Sequence, residues 1–336
     1  MAKHDGPPWA VAVSGGSDSL ALMHLLAAHA RAAKTAKPVV LTVDHGLRAG
    51  SAADARKVAR LAKLVGLKAT ILSWRGKKPK AGIEAAAREA RYRLLGAWLA
   101  RHRVATLFVG HTQDDQAETF LLRLARGSGL DGLSAMQTRA PWPVPGFPQL
   151  SVARPLLSFG RQELRDYLTV LGQSWLDDPM NQDMAFDRVK IRKAGAVLAE
   201  AGLSSARIAA AAAHLARARE TLEIVTGAVL ARAVRPVGDR VQDGLLLDPI
   251  AIAAAPREVG LRALAAVLMA VSGQAYRPRF DSLERLFNRI SGGGFKGGAT
   301  LHGCQLGPGP GNFAPRDLLV RRERPRKTGS SRRRQK

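Results

Sequence analysis

The chain has little of several things, and each shortage excludes a class. It carries one cysteine, Cys304, in 336 residues. A single thiol closes no internal disulfide and makes neither a CxxC redox pair nor a four-cysteine zinc site, so a reducing compartment is expected. Aromatic residues are only 5% of the chain, which argues against a nucleic-acid surface built mainly on stacked bases. Long apolar runs are missing as well. The stretch at residues 263–271 ends against Arg262 and Ser272, far short of the roughly 20 residues that a membrane helix needs. Residues 1–8 lack the basic region and apolar run of a secretory signal. A soluble, cytoplasmic protein with no membrane partner is the expectation.

Acids are scarce relative to bases. Against 27 Asp plus Glu stand 52 Lys plus Arg, a net charge of +25. That excess points to a polyanionic partner or, more blandly, to a solvated basic surface. With 46% apolar residues the chain still buries an ordinary core, which excludes global disorder. At about 100–200 residues per domain the length suggests two.

Residues 9–13 form a short apolar run that ends at Ser14-Gly15-Gly16, and residues 20–33 then carry apolar positions at helical spacing. The same alternation continues with strands at 39–43, 68–73 and 106–110 and helices at 52–65, 83–103 and 114–126. Strands separated by helices of this length predict an α/β fold with a doubly wound, mostly parallel, Rossmann-like sheet. Ligands of such sheets sit beyond the carboxyl ends of the strands. Residues 127–149, rich in Gly, Pro and Trp, read as a long loop, followed by a strand at 151–156 and a helix at 161–171. The expected catalytic domain spans 1–193. An Ala-rich helical stretch at 194–232 leads into a smaller, mostly helical second domain to residue 320, with strand candidates at 300–306 and 318–320. Residues 321–336 hold nine Lys or Arg and one Glu and read as a disordered basic tail.

The strongest local signal is Ser14-Gly15-Gly16-Ser17-Asp18-Ser19 between a strand and a helix. Two glycines let the backbone approach an anion, and amides at a helix start point at it with the helix dipole behind them. The three serines add hydroxyl donors, and Asp18 is a candidate ligand for a magnesium ion bridging phosphates. The Walker A lysine is absent, which disfavours transfer of the terminal phosphate. Asp44 and His45 leave a strand on the ligand side, suited to ribose or metal and to adenine or phosphate; a buried core histidine is the alternative for His45. Arg88 and Arg91 share a helix face. Asp115 and Glu118 project from the first turn of one helix, where the dipole accounts for one acid and a cationic ligand for the remainder.

The Ser14–Ser19 segment resembles the PP-loop of the ATP pyrophosphatases, which split ATP between the α and β phosphates. Further motifs follow in register: Val43-Asp44-His45-Gly46-Leu47-Arg48, Glu84 through Arg91 and Tyr92, Gly110-His111 through Glu118-Thr119, Arg154-Pro155-Leu156-Leu157 and Asp178-Pro179-Met180-Asn181. This order is similar to the tRNA(Ile)-lysidine synthetases over residues 9–195. The resemblance implies ATP and Mg2+ as cofactors, with nucleotide contacts at Ser14, Gly15, Gly16, Ser17, Asp18, Ser19, Asp44, His45, Gly110 and His111. It implies that Asp18 holds the metal, that Arg91 is catalytic, and that Asp115 and Glu118 bind L-lysine. The RNA partner would be the isoleucine tRNA with a CAU anticodon, whose wobble cytidine becomes lysidine and reads AUA in place of AUG. Arg154, Arg188, Lys190 and Arg192 are the candidate RNA contacts, Trp142, Phe147 and Trp175 the few rings able to stack, and residues 127–132 a loop over the site. Two positions depart from the family pattern: Thr112 stands where a second histidine is common, and Val189 where an asparagine is. A tRNA sulfurtransferase on the same scaffold and a non-catalytic RNA-binding protein are the alternatives; the lone cysteine counts against the first and the retained acids against the second. Oligomeric state stays open, a homodimer included.

Overall fold

The computed structural model describes residues 9–76, 78–79, 81–176, 187–238, 243–293, 295, 297–309 and 316–323. The Asp178-Pro179-Met180-Asn181 motif and residues 324–336 of the expected tail lie outside them. Contacts divide the chain into units spanning 1–216 and 217–336.

The first unit alternates strand and helix: β1 (Ala10–Ala12), α1 (Ser17–Ala32), β2 (Val39–Asp44), α2 (Ser51–Leu64), β3 (Ala69–Ser73), α3 (Ile83–Arg101), β4 (Thr106–Phe108) and α4 (Gln113–Ala125). It continues with α5 (Leu130–Leu133), β5 (Arg139–Pro141), β6 (Ser151–Ala153), α6 (Arg161–Val170), α7 (Asp187–Glu200) and α8 (Ser205–Ala233), and the division between units falls within α8. The sheet runs β3-β2-β1-β4-β6-β5. All its pairs are parallel except β5 with β6.

Both faces of the sheet are covered, and strand periodicity shows how. Val11, Val13 and Val40 face one core, with Leu20, Leu22, Met23, Val58, Leu164 and Leu168 of α1, α2 and α6. Ala10, Leu41, Leu107 and Val152 point the other way, onto Tyr92, Leu95 and Leu99 of α3. Adjacent residues therefore serve opposite cores, which makes the central strands apolar throughout. Leu20, Leu22 and Met23 are fully buried, each stabilising the unit by about 1.5–3 kcal/mol.

The stretch expected to be one long loop contains α5 and β5. Strand β5 forms because β6 offers a free edge, and Pro141 is tolerated on that outer strand, where it meets Ser151. Trp142 is buried beside it, edge-on to Tyr92 at 5.5 Å. The Ala-rich stretch read as one helix is broken between α7 and α8. Gly202 takes φ +84° there, and the Ser204 hydroxyl accepts the amide of Arg207.

The second unit contains β7 (Val234–Pro236), β8 (Leu245–Leu247), α9 (Pro249–Ala253), α10 (Arg257–Ser272), α11 (Phe280–Ser291), β9 (Ala299–Leu301), β10 (Cys304–Pro308) and β11 (Leu318–Arg322). A mostly helical domain was expected here, whereas its five-stranded antiparallel sheet, β7-β8-β11-β10-β9, was read only in part. Leu247, Leu264, Leu268, Leu306 and Val320 share its core. Arg321 and Arg322, grouped with the tail by composition, belong to β11. Among the described residues no single helix is long and apolar enough to cross a membrane.

Candidate active site

The order of the sheet reverses between β1 and β4, and a crevice forms where neighbouring strands send their connections to opposite sides. Residues 14–19 follow β1 and residues 110–112 follow β4. The two loops touch. A Cβ at Gly110 would lie 2.9 Å from the backbone carbonyl oxygen of Asp18, so glycine is what permits the approach. Gly15 takes φ +99°, and a Cβ there would meet Leu176 Cδ1 at 2.5 Å; its carbonyl accepts the Leu176 amide at 2.9 Å.

Helix α1 begins after Gly16 with no side-chain cap, which leaves its first-turn amides for an external acceptor. Ser14 is exposed. Ser19 Oγ donates to Gly16 O at 3.0 Å and accepts the Ser14 amide at 3.2 Å, fixing the loop from inside. Ser17 Oγ donates to Asp18 Oδ1 at 2.9 Å. Asp44 Oδ1 accepts the Gly46 amide and the Ser51 hydroxyl, and the Ser51 bond chiefly holds its carboxyl below the usual range. His45 is half-buried at the end of the same strand.

Helix α4 supplies the acids. Thr112 caps it: its hydroxyl accepts the Asp115 amide at 3.3 Å, and Asp115 Oδ2 accepts the Thr112 amide at 2.8 Å. The departure at Thr112 is thus a capping box. Asp115 Oδ1 and Glu118 face inward, and both meet Arg161, which sequence reasoning passed over as a helix start. Its Nε donates to Asp18 Oδ2 at 3.1 Å, its Nη1 to Glu118 Oε1 at 3.2 Å, and its Nη2 to Asp115 Oδ1 at 3.4 Å. Its own amide donates to Asp114 Oδ2 at 2.7 Å, and Asp114 Oδ1 accepts the Ser205 hydroxyl. A signal existed in the sequence: a cation in the first turn of a helix opposes the dipole and needs anions nearby. Burial works against the Arg161 charge, but Asp115, Glu118 and Asp18 outweigh it and raise its pKa. Burial raises that of Asp18, with Arg161 opposing.

Arg192, expected on the RNA surface, grips Glu118, Nε to Oε1 at 2.9 Å and Nη2 to Oε2 at 3.1 Å, with its side chain 39% exposed. Lys190 lies in an exposed pair with Asp187 at 3.3 Å. Val189, between them, is buried. Residues 127–132 are tied back by Arg123 Nη1 to Gly132 O at 2.6 Å.

A cationic region adjoins the acids. His111 follows Gly110, and its Nδ1 is buried without a hydrogen-bond partner among the described residues. Burial, then the charges of Arg154, Arg88, Arg91 and Arg188, push its pKa down to about 3, so it is neutral. Burial lowers the pKa of Arg91 and of Arg154 as well. Arg88 and Arg91 lie 5.1 and 5.4 Å from the Tyr92 ring. Arg154 Nη1 donates to Gln137 O at 3.0 Å while its Nε is buried with no hydrogen-bond partner among the described residues. Arg88, Arg91, Arg154 and Arg188 around a neutral imidazole suit an anion. Of the stacking candidates, Trp142 is in the core beside α3 with Phe147 packed against that core, and Trp175 packs against the core on the other face of the sheet.

A PP-loop domain family matches residues 1–197. A tRNA(Ile)-lysidine synthase of Methylobacterium nodulans is 40% identical over 87% of this chain and 86% of its own length. The chain belongs to the tRNA(Ile)-lysidine synthase family. A second member, from Ruegeria pomeroyi, is 43% identical over 80% of this chain, which spans 62% of that relative's length. Among solved structures, the U34-tRNA thiolase NcsA of Methanococcus maripaludis, with its 4Fe-4S cluster, aligns at a TM-score of 0.50 over 64% of this chain and 72% of that one, at 15% identity. That likeness concerns the Rossmann-like fold. The one cysteine of this sequence, Cys304, is fully buried and donates to Leu268 O at 3.3 Å, and burial pushes its thiol up to about 11.

Proposed function

We propose that this chain uses ATP to attach L-lysine to C2 of the wobble cytidine in the isoleucine tRNA with a CAU anticodon, in the cytoplasm. The observation that carries the reading is the meeting of an uncapped PP-loop helix with two inward carboxylates of α4 through one shared guanidinium. An anion site and a cation site thus lie side by side at the switch point.

The chemistry divides between them. Cytosine O2 attacks the α phosphorus, the bond from that phosphorus to the bridging oxygen breaks, and pyrophosphate leaves with those electrons. The Ser14–Ser19 loop orients the phosphates, and Arg91 with its neighbours stabilises the charge that grows on them. Lysine Nζ then attacks C2, the C2–O2 bond breaks, and AMP leaves. The ammonium, with an ordinary pKa near 10.4, gives up one proton before attack and one after it. Asp115 and Glu118 hold and orient it until then. Magnesium fits as a partner of Asp18: a carboxylate beside a phosphate site is what that ion uses when phosphates complete its shell, and it would neutralise phosphate charge. Arg88, Arg154 and Arg188 are assigned to tRNA or nucleotide phosphates, and Lys190 to the RNA rim.

Incubation with ATP, labelled lysine and CAU-anticodon isoleucine tRNA tests the assignment. Stable label on the RNA with one AMP per lysine is expected. AMP release that requires a sulfur donor, with no label transferred, would refute it.

A further inference from the structure

Arg161 occupies the place that the preceding reading gives to a substrate cation. We infer that its guanidinium is a resident stand-in for the lysine ammonium, and that lysine enters by exchange with it as the nucleotide side fills. The inference rests on the proposed lysine chemistry.

Three observations support exchange over a permanent bond. The first is how the N–H groups are shared. Arg161 reaches three carboxylates with one N–H each, at 3.1, 3.2 and 3.4 Å. Arg192 instead puts two N–H groups on the one carboxylate of Glu118, at 2.9 and 3.1 Å, the paired arrangement that fits guanidinium to carboxylate. Arg161 is therefore held by summed charge more than by fitted geometry. The second is the anchoring of its backbone. The Arg161 amide donates to Asp114 at 2.7 Å, so the main chain stays fixed while the side chain, 17% exposed, swings away. The third is donor count. An ammonium carries three N–H donors, and the two α4 acceptors that Arg161 meets need only two of them. Lysine Nζ can take Asp115 Oδ1 and Glu118 Oε1, and Asp18 is left to the nucleotide side.

A linkage follows. One side chain joins both sites, so a ligand that draws Arg161 away from Asp18 also weakens its hold on Asp115 and Glu118, the latter still paired with Arg192, and nucleotide and lysine then favour each other's binding. In this scheme Arg161 is a positioning residue, acting through carboxylates on either side of it.

Binding of labelled lysine is measured by equilibrium dialysis with and without a non-hydrolysable ATP analogue, in the absence of tRNA. The parent protein should bind lysine at least about fivefold more tightly with the analogue present, the low end of ordinary coupling between sites. Arg161→Met should bind lysine more tightly than the parent without the analogue and should lose the coupling. In Arg161→Ala, methylguanidinium should raise the melting temperature more than it does in the parent and should compete with lysine. Equal lysine affinity with and without the analogue in the parent overturns the exchange, whatever the variants do. So does a folded Arg161→Met that binds lysine more weakly, because Arg161 is then a direct contact. Either result leaves the lysidine reading standing, whereas no lysine binding by the parent under any of these conditions removes both.

Discussion

Replacing Glu118 with alanine tests whether the acid cluster is a structural network as well as a substrate site. The Glu118 side chain is 7% exposed and accepts three N–H groups, one from Arg161 and two from Arg192. Removing one partner of a buried charge pair costs about 3–5 kcal/mol. Two features pull the value down. Arg192 is 39% exposed and regains water, and Arg161 keeps Asp18 and Asp115. A loss of about 3 kcal/mol results, and at about 2–4 °C per kcal/mol for a unit of this size the first unit's transition falls by about 6–12 °C. Differential scanning calorimetry reads it, with the second unit as an internal reference because its core is separate. Glu118→Gln keeps one acceptor oxygen and should lose about half as much. A cycle with Arg161→Met should show coupling of about 1–3 kcal/mol. A fall of less than about 2 °C, or plain additivity, would refute the network.

Gly110→Ala drives a Cβ against the Asp18 carbonyl at 2.9 Å, so affinity for a fluorescent ATP analogue should fall at least about tenfold, or about 1.4 kcal/mol; an unchanged dissociation constant counts against the close approach. The folded pKa of His111 is about 3, against 6.5 ordinarily. Its stabilising effect is complete above about pH 6.5 and is lost as pH falls toward 3, because only the unfolded chain takes up the proton. From pH 6.5 to 5 the loss is about 2 kcal/mol at about 1.36 per pH unit, and urea melts of His111→Asn should lack that slope; an identical slope in the variant argues against it. Deleting residues 324–336, which hold seven Lys or Arg and no acid, should weaken tRNA binding with a shallower salt dependence while single-turnover rates at saturating tRNA hold. Equal affinity at low salt would reduce the segment to solvated charge.

The βαβ order and the place of the PP-loop were legible because each rests on local pattern: apolar strands of the first unit, helical spacing, and glycines at loops that need them. What escaped depends on partners distant in sequence. Strand β5 exists only because β6 has an open edge, and β8, Leu-Leu-Leu, carries no periodicity that tells a strand from a helix turn. Arg161 is 43 residues from Glu118, and Arg192 is 74. No spacing rule connects them. The acids themselves were found because α4 presents them three residues apart, but the cations that neutralise them arrive from α6 and α7.

That pairing also changes what the net charge of +25 means. Two electrostatic environments meet at the start of α4. His111 lies in the field of Arg154, Arg88, Arg91 and Arg188, and Asp115, four residues on, lies among Asp18, Glu118 and Arg161. A phosphate is attracted to the first and repelled by the acids of the second, and an ammonium the reverse, so on the proposed function the helix start sorts nucleotide from lysine by charge. An acid cluster left bare would repel the nucleotide from the adjoining loop, because Asp18 belongs to both. Counting Asp18, Asp115 and Glu118 against Arg161 and Arg192 leaves one negative charge. Cations borrowed from α6 and α7 would therefore let a nucleotide approach while Arg161 still covers the acids, and the proposed exchange keeps that count, because lysine brings one positive charge where Arg161 gave one.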